Sequence, residues 1–315
     1  MKKTAFIFPG QGSQFVGMAK GFCESSVAAK EAFDIASATL GFDMAKLCFE
    51  GPSAELDSTE NTQPALLTAS VAALRALKEN LAGVSLSPSF FAGHSLGEYT
   101  ALVAAEVIPF KDALRLVRLR GKFMQEAVPT GTGKMCAILG LDVGVIAEIC
   151  KEASVDGLAV VPANINSPGQ VVISGHAGAV SVAAGLAKAK GAKRVLELPV
   201  SVPSHSPLME GAASRLRLEL EKTNFGKFSA PVVTNVEAEP LSDTSRVSEL
   251  LTRQMTSPVR WVDTILKMKA EGVGLIIEIG PGKVLTGLVK RIDAEIAVAN
   301  LSDAADMPAV ASFLK

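Results

Sequence analysis

The fold of this chain is organised around one stretch, Gly93-His94-Ser95-Leu96-Gly97-Glu98-Tyr99. An apolar run precedes it at 89–92 and an alanine-rich stretch follows it at 100–107, an order that predicts a strand, a tight turn and a helix. In such an elbow two glycines leave room for the turn, and the central serine stands above the first N–H groups of the helix. A Gly-x-Ser-x-Gly pattern also arises by chance, but the flanking strand and helix favour a catalytic serine. We predict that Ser95 is a nucleophile and that the Leu96 N–H donates to an oxyanion.

The composition is that of an ordinary globular protein. Its 315 residues are 48% hydrophobic and 20% charged, enough for one large domain or two modest ones. The formal net charge of -1 gives no overall attraction to nucleic acid or to anionic lipid. The first apolar run, 5–8, is too short for a signal-peptide core, and no run is long enough for a membrane span. We therefore predict a cytoplasmic protein with neither a nucleic-acid nor a membrane partner.

Four cysteines, Cys23, Cys48, Cys136 and Cys150, are scattered along the chain without a C-x-x-C spacing. The three histidines do not lie at metal-ligand spacing from one another or from a cysteine. The cysteines are interpreted as small buried hydrophobes, and the sequence predicts no metal site.

Strand and helix patterns alternate along most of the chain, which indicates an α/β protein. Between 129 and 200 the order becomes strand, helix, strand, strand, helix, strand, the ferredoxin-like arrangement. We predict a main domain from 1–128 and 201–315, with a subdomain at 129–200 forming one wall of a cleft. The main domain is predicted to have single helices at 24–40 and 64–81, with Gln63 before the first turn of the second and facing either solvent or the site.

Three loops carry polar groups that the cleft can use. The glycine-rich turn 9–14 is either a plain turn or a second source of N–H donors facing Ser95. The stretch 164–169 reads as a hairpin loop between the middle strands of the subdomain. The Pro- and Ser-rich stretch 199–207 is interpreted as an exposed loop.

A serine nucleophile needs a base, and the chain has three histidines. His94 adjoins Ser95 on a turn, so its ring is expected to point elsewhere, and His176 lies in the subdomain. We therefore predict that His205 takes the Ser95 proton. The predicted helix 111–128 is rich in arginine; most such residues are solvated, but one turned inward would clamp a carboxylate.

Several further motifs occur together in one order. They are Phe8-Pro9-Gly10-Gln11-Gly12-Ser13-Gln14, the Ser95 elbow, Arg120-Gly121-Lys122-Phe123-Met124-Gln125, Pro203-Ser204-His205 and Ile279-Gly280-Pro281-Gly282. By these motifs the chain resembles, over nearly its whole length, the malonyl-CoA:acyl carrier protein transacylases of bacterial fatty-acid synthesis. The resemblance implies an α/β-hydrolase-like large domain with an inserted ferredoxin-like (βαββαβ) subdomain.

The resemblance also implies a role for each residue of the site. Ser95 and His205 would be catalytic, the N–H groups of Gln11 and Leu96 would form the oxyanion hole, and Arg120 would hold the malonyl carboxylate. The remaining matches are substrate-lining residues, Gln63, Asn166 and Ser204, and the backbone carbonyl of Gln254, which would orient His205 in place of an acidic residue.

The implied reaction is a ping-pong transfer of malonyl from CoA, through a malonyl-serine ester, to the phosphopantetheine thiol of an acyl carrier protein. No metal or other cofactor is implied. The expected partners are malonyl-CoA and an acidic acyl carrier protein, and the enzyme is expected to be a monomer. Seven basic residues are candidates for the rim that meets the carrier: Lys188, Lys190, Lys193, Arg194, Lys283, Lys290 and Arg291. Two other functions share some of these features, a serine esterase or thioesterase and a non-catalytic docking module.

Overall fold

The computed structural model describes residues 3–83, 86–155, 157–200 and 202–314. The strands are β1 (Lys3–Phe8), β2 (Phe90–Gly93), β3 (Gly133–Leu139), β4 (Val160–Ser167), β5 (Gln170–His176), β6 (Arg194–Glu197), β7 (Val232–Val233), β8 (Pro240–Leu241), β9 (Val273–Ile279) and β10 (Ala297–Leu301). The α-helices are α1 (Lys20–Ser25), α2 (Val27–Leu40), α3 (Met44–Glu50), α4 (Ser53–Leu56), α5 (Thr59–Asn80), α6 (Gly97–Ala104), α7 (Phe110–Glu126), α8 (Val143–Ala153), α9 (Ala177–Ala189), α10 (Glu210–Leu220), α11 (Val247–Gln254), α12 (Trp261–Ala270), α13 (Val284–Ile292) and α14 (Met307–Leu314).

The larger sheet has the strand order β10-β9-β1-β2-β7-β8 and is parallel except for β8. Strand β1 lies near its centre, and its side chains alternate between two cores. Phe6 and Phe8 pack into the core that contains residues of α2, α5 and α7, whereas Ala5 and Ile7 pack with α12 and α13. A strand covered on both faces has to be apolar at every position, which is why 5–8 reads as an unbroken hydrophobic run.

The smaller sheet is antiparallel, with the order β4-β5-β3-β6 and helices α8 and α9 packed on one face. This is the ferredoxin-like arrangement, so the prediction of an α/β fold with a βαββαβ unit is confirmed. The other face of the small sheet carries Met135, Ala137, Ala163 and Val172. The predicted division into 1–128 with 201–315 and 129–200 stays a proposal.

Two predicted helices in the main domain were wrong in their bounds. The helix expected over 24–40 is broken at Ser26, which has extended backbone angles and whose hydroxyl caps α2 by accepting the Ala29 N–H. Helix α5 begins at Thr59, more than a turn before Pro64, so Gln63 lies inside the helix and is fully buried. The prediction that Gln63 precedes the first turn is therefore corrected.

Two predicted loops were also wrong. Strand β4 continues to Ser167, so Asn164 and Asn166 lie on a strand with irregular register, and only 168–169 remain as the turn. In the stretch 199–207, predicted to be exposed, His205 is only 2% exposed. The neighbouring Pro203 ring packs on Gly133, with its Cγ 2.3 Å from where a Cβ of Gly133 would stand. Within the described ranges, no helix combines the length and apolar character that crossing a bilayer requires.

Candidate active site

The turn between β2 and α6 holds Ser95 in the left-handed region, with φ 52°. A non-glycine residue there costs about 1–2 kcal/mol, so the neighbouring structure has to impose it. The flanking glycines allow the tight turn. A Cβ on Gly93 would lie 1.9 Å from the Gly97 carbonyl carbon, and one on Gly97 would lie 2.1 Å from the Phe8 carbonyl oxygen. No side chain fits at either position, and the turn presents the Ser95 hydroxyl at the end of the strand.

His205 meets this hydroxyl, with 2.8 Å between its Nε2 and Ser95 Oγ. Its Nδ1 lies 2.8 Å from the backbone carbonyl oxygen of Gln254. A carbonyl oxygen only accepts, so Nδ1 carries the proton and Nε2 offers its lone pair to the serine. His205 also has a left-handed backbone, with φ 59°. Two strained residues thus meet in one hydrogen bond, and a backbone carbonyl fixes the tautomer that the base needs.

Arg120 is buried beside this pair, with a relative exposure of 1%. Its Nη1 donates to Gln63 Oε1 at 2.8 Å, and its Nη2 donates to Ser95 Oγ at 3.1 Å and to Gln254 Oε1 at 3.0 Å. The guanidinium carbon stands 5.6 Å from the centre of the Tyr99 ring. Within the described ranges, the acceptors that Arg120 contacts are all neutral oxygens, so no hydrogen-bonded carboxylate pairs with the guanidinium.

The surroundings of His205 keep its imidazole neutral. Burial, and then the positive charge of Arg120, lower the pKa of His205 from 6.5 to about 3. Burial also lowers the pKa of Arg120, but from so high a value that the guanidinium stays charged. The resting site therefore holds a neutral base next to a fixed cation.

Gln11 and Leu96 lie on the two turns that meet at Ser95 and line the same pocket. Leu96 precedes the first turn of α6 and is 1% exposed. The turn that carries Gln11 is pressed against the elbow, since a Cβ on Gly10 would lie 2.4 Å from the His94 carbonyl oxygen. In the described part of the chain, neither the Gln11 nor the Leu96 N–H has a hydrogen-bond acceptor. Their role as an oxyanion hole stays a prediction.

The site opens into a small pocket of about 120 Å³ between the two sheets. Its walls come from both sheets and their loops: Gln11, His94, Ser95, Leu96, Arg120, Met124, Met135, Asn164, Leu198, Val200, Val202, Ser204 and His205. Apolar side chains from the small sheet and from the segment after β6 line the pocket opposite the polar reacting groups. Such a mixed cleft suits a short acyl group that bears a polar end.

Two residues expected to line the site differ in position. Ser204 lines the pocket, next to His205. Asn166 lies behind the pocket, where its Oδ1 accepts from His94 Nε2 at 2.8 Å, and the His94 ring packs edge-on against Trp261. The His94 ring is thus held away from Ser95. Asn164, which sequence reasoning did not single out, is the asparagine of β4 that borders the pocket.

The described residues contain no group of His, Cys, Asp or Glu side chains able to hold a metal ion. Cys48, Cys136 and Cys150 are buried, Cys23 is half-buried, and all four are free thiols.

The sequence and structure of this chain are similar to those of known acyl transferases. The model of the acyl transferase domain family matches residues 5–310. This chain belongs to the acyl transferase family. The motif-based resemblance is confirmed by similarity to the malonyl CoA-acyl carrier protein transacylase of Escherichia coli K12, which is 51% identical over 309 residues, or 98% of this chain and 99% of that one. The enzyme of the same name from Bacillus subtilis 168 is 48% identical over 303 residues, covering 96% and 94%.

Solved structures of similar acyl transferases agree with this fold. An acyl carrier protein S-malonyltransferase from Vibrio cholerae has a TM-score of 0.94 at 49% identity, covering 98% of this chain and 99% of that one. A malonyl-transacylase in complex with a type II PKS acyl-carrier protein has a TM-score of 0.95 at 48% identity, covering 99% of each chain.

Sequence reasoning missed two buried residues beneath the acyl transferase elbow, Asn235 and Glu98. Asn235 Nδ2 donates to the Gly93 carbonyl oxygen and its Oδ1 accepts the Ser95 N–H, both at 2.7 Å. Glu98 is 2% exposed, and burial raises its pKa to about 7. A signal for Asn235 existed. Asn235 follows β7, which pairs with β2, and the carboxyl ends of neighbouring parallel strands meet at one edge.

The depressed pKa of His205 predicts a pH-dependent stability. Between about pH 6.5 and pH 3 the unfolded histidine binds a proton that the folded one does not, so this residue destabilises the folded state as the pH falls. From near pH 7 to about pH 5, wild type should lose about 2 kcal/mol more unfolding free energy than His205→Gln. Urea denaturation of both proteins at the two pH values measures the difference. Parallel losses in the two proteins would mean that the imidazole is not held neutral.

Proposed function

We propose that this chain moves a malonyl group from CoA to the phosphopantetheine thiol of an acyl carrier protein, supplying extender units for fatty-acid synthesis. The observation that carries the proposal is the buried Arg120 guanidinium, 3.1 Å from the Ser95 hydroxyl. A cation at that distance from the acylated atom selects an acyl group with a carboxylate at its far end. The malonyl-transferring relatives support the same substrate.

In the first half-reaction Ser95 Oγ attacks the thioester carbonyl carbon while His205 Nε2 takes the hydroxyl proton. The oxyanion that forms accepts from the N–H groups of Gln11 and Leu96. The C–S bond then breaks, CoA leaves as a thiol with the proton from His205, and malonyl remains as an ester on Ser95.

The second half-reaction is the reverse process with a different thiol. The phosphopantetheine thiol gives its proton to His205, and its sulfur attacks the ester carbonyl carbon. The C–O bond breaks, and Ser95 recovers a proton from His205. A neutral carbonyl from Gln254 stabilises the imidazolium less than a carboxylate would, which suits exchange between thioesters, where the leaving thiol needs little protonation.

The substrate itself adjusts the base. The charge of Arg120 is one cause of the low pKa of His205, second to burial. A malonyl carboxylate paired with Arg120 neutralises that charge, so His205 becomes a stronger base when the correct acyl group is bound. An acetyl group leaves Arg120 unpaired and His205 weakly basic.

The two proposed half-reactions use no cofactor. Ser95, His205 and Arg120 all come from one chain, so we propose an active monomer, which sedimentation analysis can test. Four free thiols accord with a reducing compartment, and we propose the cytoplasm.

A basic rim for the acidic carrier protein is proposed beside the cleft, and its seven candidate residues are all exposed. Two of them border one continuous surface. The Lys193 side chain lies on Gly140, whose N–H donates to the Gly169 carbonyl, and the adjoining Gln170 accepts from Arg291 Nη1 at 2.9 Å. Lys190 is paired with Glu152 at 3.6 Å. Within the described ranges, the other six candidates form no ion pair, since the partner of Arg291 is the neutral Gln170. These free charges are available to a carrier.

Replacing the clamp tests the substrate directly. In Arg120→Ala we expect kcat/KM for malonyl-CoA and methylmalonyl-CoA to fall about 100- to 1,000-fold, the effect of removing one partner of a buried ion pair, with acetyl-CoA little affected. Arg118→Ala on the same helix is the control, because Arg118 is partly exposed and pairs with Glu60. Transfer to carrier protein is measured for the three donors. Unchanged selectivity would mean that Arg120 is not the clamp, and rapid malonate release without an acceptor would indicate a thioesterase.

Charge reversal tests the rim. Changing Lys193, Lys290 and Arg291 to Glu should raise the KM for carrier protein about tenfold at low salt and leave acylation by malonyl-CoA unchanged. The matched control reverses three exposed lysines, Lys20, Lys30 and Lys46, on helices of the opposite layer. Steady-state rates at varied carrier concentration measure the effect. Equal losses of rate in both half-reactions, or an equal rise in KM for the carrier in the control variant, would refute the assignment of these residues to the carrier-binding rim.

A further inference from the structure

Three buried side chains form a network beneath the Ser95 turn. Glu98 Oε2 accepts from the Asn235 backbone N–H at 3.2 Å and from Gln254 Nε2 at 2.6 Å. Gln254 Nε2 also lies 3.0 Å from the Ser95 carbonyl oxygen. Glu98, Asn235 and Gln254 are each 2% exposed or less, and none of them lines the acyl pocket.

The network holds both peptide groups of the strained serine. Asn235 Oδ1 accepts the Ser95 N–H, and Gln254 Nε2 donates to the Ser95 carbonyl. Two amide side chains from separate parts of the chain thus compensate for the cost of the left-handed backbone. Glu98 accepts from the backbone N–H of Asn235 and from the side chain of Gln254, so it ties the residue after β7 to the end of α11 under the elbow.

Glu98 also decides which way the Gln254 amide points. With its nitrogen donating to a carboxylate, the amide has to turn its oxygen to the other side, where it accepts from Arg120 Nη2 at 3.0 Å. The amide therefore lies between the Glu98 carboxyl group and the buried Arg120 cation. Reversing it would turn its NH2 group toward the donating guanidinium, and that contact would be repulsive. The orientation of Arg120 toward Ser95 depends on this arrangement.

We propose that Glu98 is a positioning residue: by holding Asn235 and Gln254 it fixes the Ser95 turn and the Arg120 side chain in their reactive arrangement. The proposal rests on the acyl-transfer function proposed above. It assigns Glu98 a role through its neighbours, since the carboxylate contacts neither Ser95 nor the pocket.

Two variants separate the acceptor from the charge. Glu98→Ala removes both, and Glu98→Gln retains an acceptor oxygen without the charge. Rapid-quench experiments measure the rate of malonyl-Ser95 formation, normalised to the amount of serine that is finally acylated. We expect this rate to be about 100-fold lower than wild type in Glu98→Ala and about tenfold lower in Glu98→Gln. The KM for malonyl-CoA should stay within about twofold of the wild-type value. A role confined to folding would lower the acylatable fraction and leave the rate per acylated serine unchanged, which would overturn the proposal.

Glu278→Gln is the matched control. Glu278 is a second fully buried glutamate, and it accepts from Leu285 N and Thr286 N at the start of α13, away from the elbow. This variant should lose stability but keep the wild-type rate per acylated serine. A comparable loss of rate in Glu278→Gln would contradict a specific role for Glu98.

The exchanged pair Glu98→Gln with Gln254→Glu provides a second test. It restores a carboxylate near Arg120 but removes the amide that donates to the Ser95 carbonyl. We expect the acylation rate to stay at least tenfold below wild type. Recovery to the wild-type rate would show that only the counter-charge matters and would overturn the proposal. Absence of malonyl-Ser95 in wild type would instead count against the proposed function, so the two failures are distinguishable.

Discussion

The left-handed backbone of Ser95 is the constraint on which the rest of the site depends. The turn is tight enough that side chains at Gly93 and Gly97 would overlap the neighbouring backbone. It places the hydroxyl at the carboxyl edge of the parallel sheet, where loops from neighbouring strands meet. Such a strained conformation persists because hydrogen bonds from Asn235 and Gln254 hold it from both sides. The strained backbone of Ser95 therefore depends on hydrogen bonds from residues that are distant in sequence, Asn235 and Gln254.

The second organising feature is the buried positive charge of Arg120. Arg120 lies among Gln63, Gln254 and Ser95, which accept its hydrogen bonds without neutralising its charge. A buried cation whose hydrogen-bond partners are all neutral is costly, and in the proposed function a ligand carboxylate relieves that cost. The same charge depresses the pKa of His205. Substrate choice and basicity are thus coupled through one guanidinium.

The sequence carried much of this in local patterns. Alternating strands and helices predicted the α/β architecture, and the order of elements in 129–200 predicted the ferredoxin-like sheet, because both depend on short-range periodicity. Ser95, His205 and Arg120 were identified from motifs and family resemblance. What local pattern could not supply was tertiary packing. The loop with His205 is polar and rich in proline, yet His205 is buried and Pro203 packs on Gly133 of the small sheet. Asn235 and Glu98 escaped notice because their importance lies in contacts that join distant segments.

The central claim is that Ser95 carries the acyl group. Wild-type protein and Ser95→Ala are mixed with malonyl-CoA in the absence of carrier protein, quenched within the first turnover, and analysed by intact mass and peptide mapping. We expect one malonyl group per wild-type chain, bound as an ester on Ser95 and discharged when carrier protein is added, and none on the variant. An adduct on another residue, or transfer to the carrier at the wild-type rate by Ser95→Ala, would contradict it.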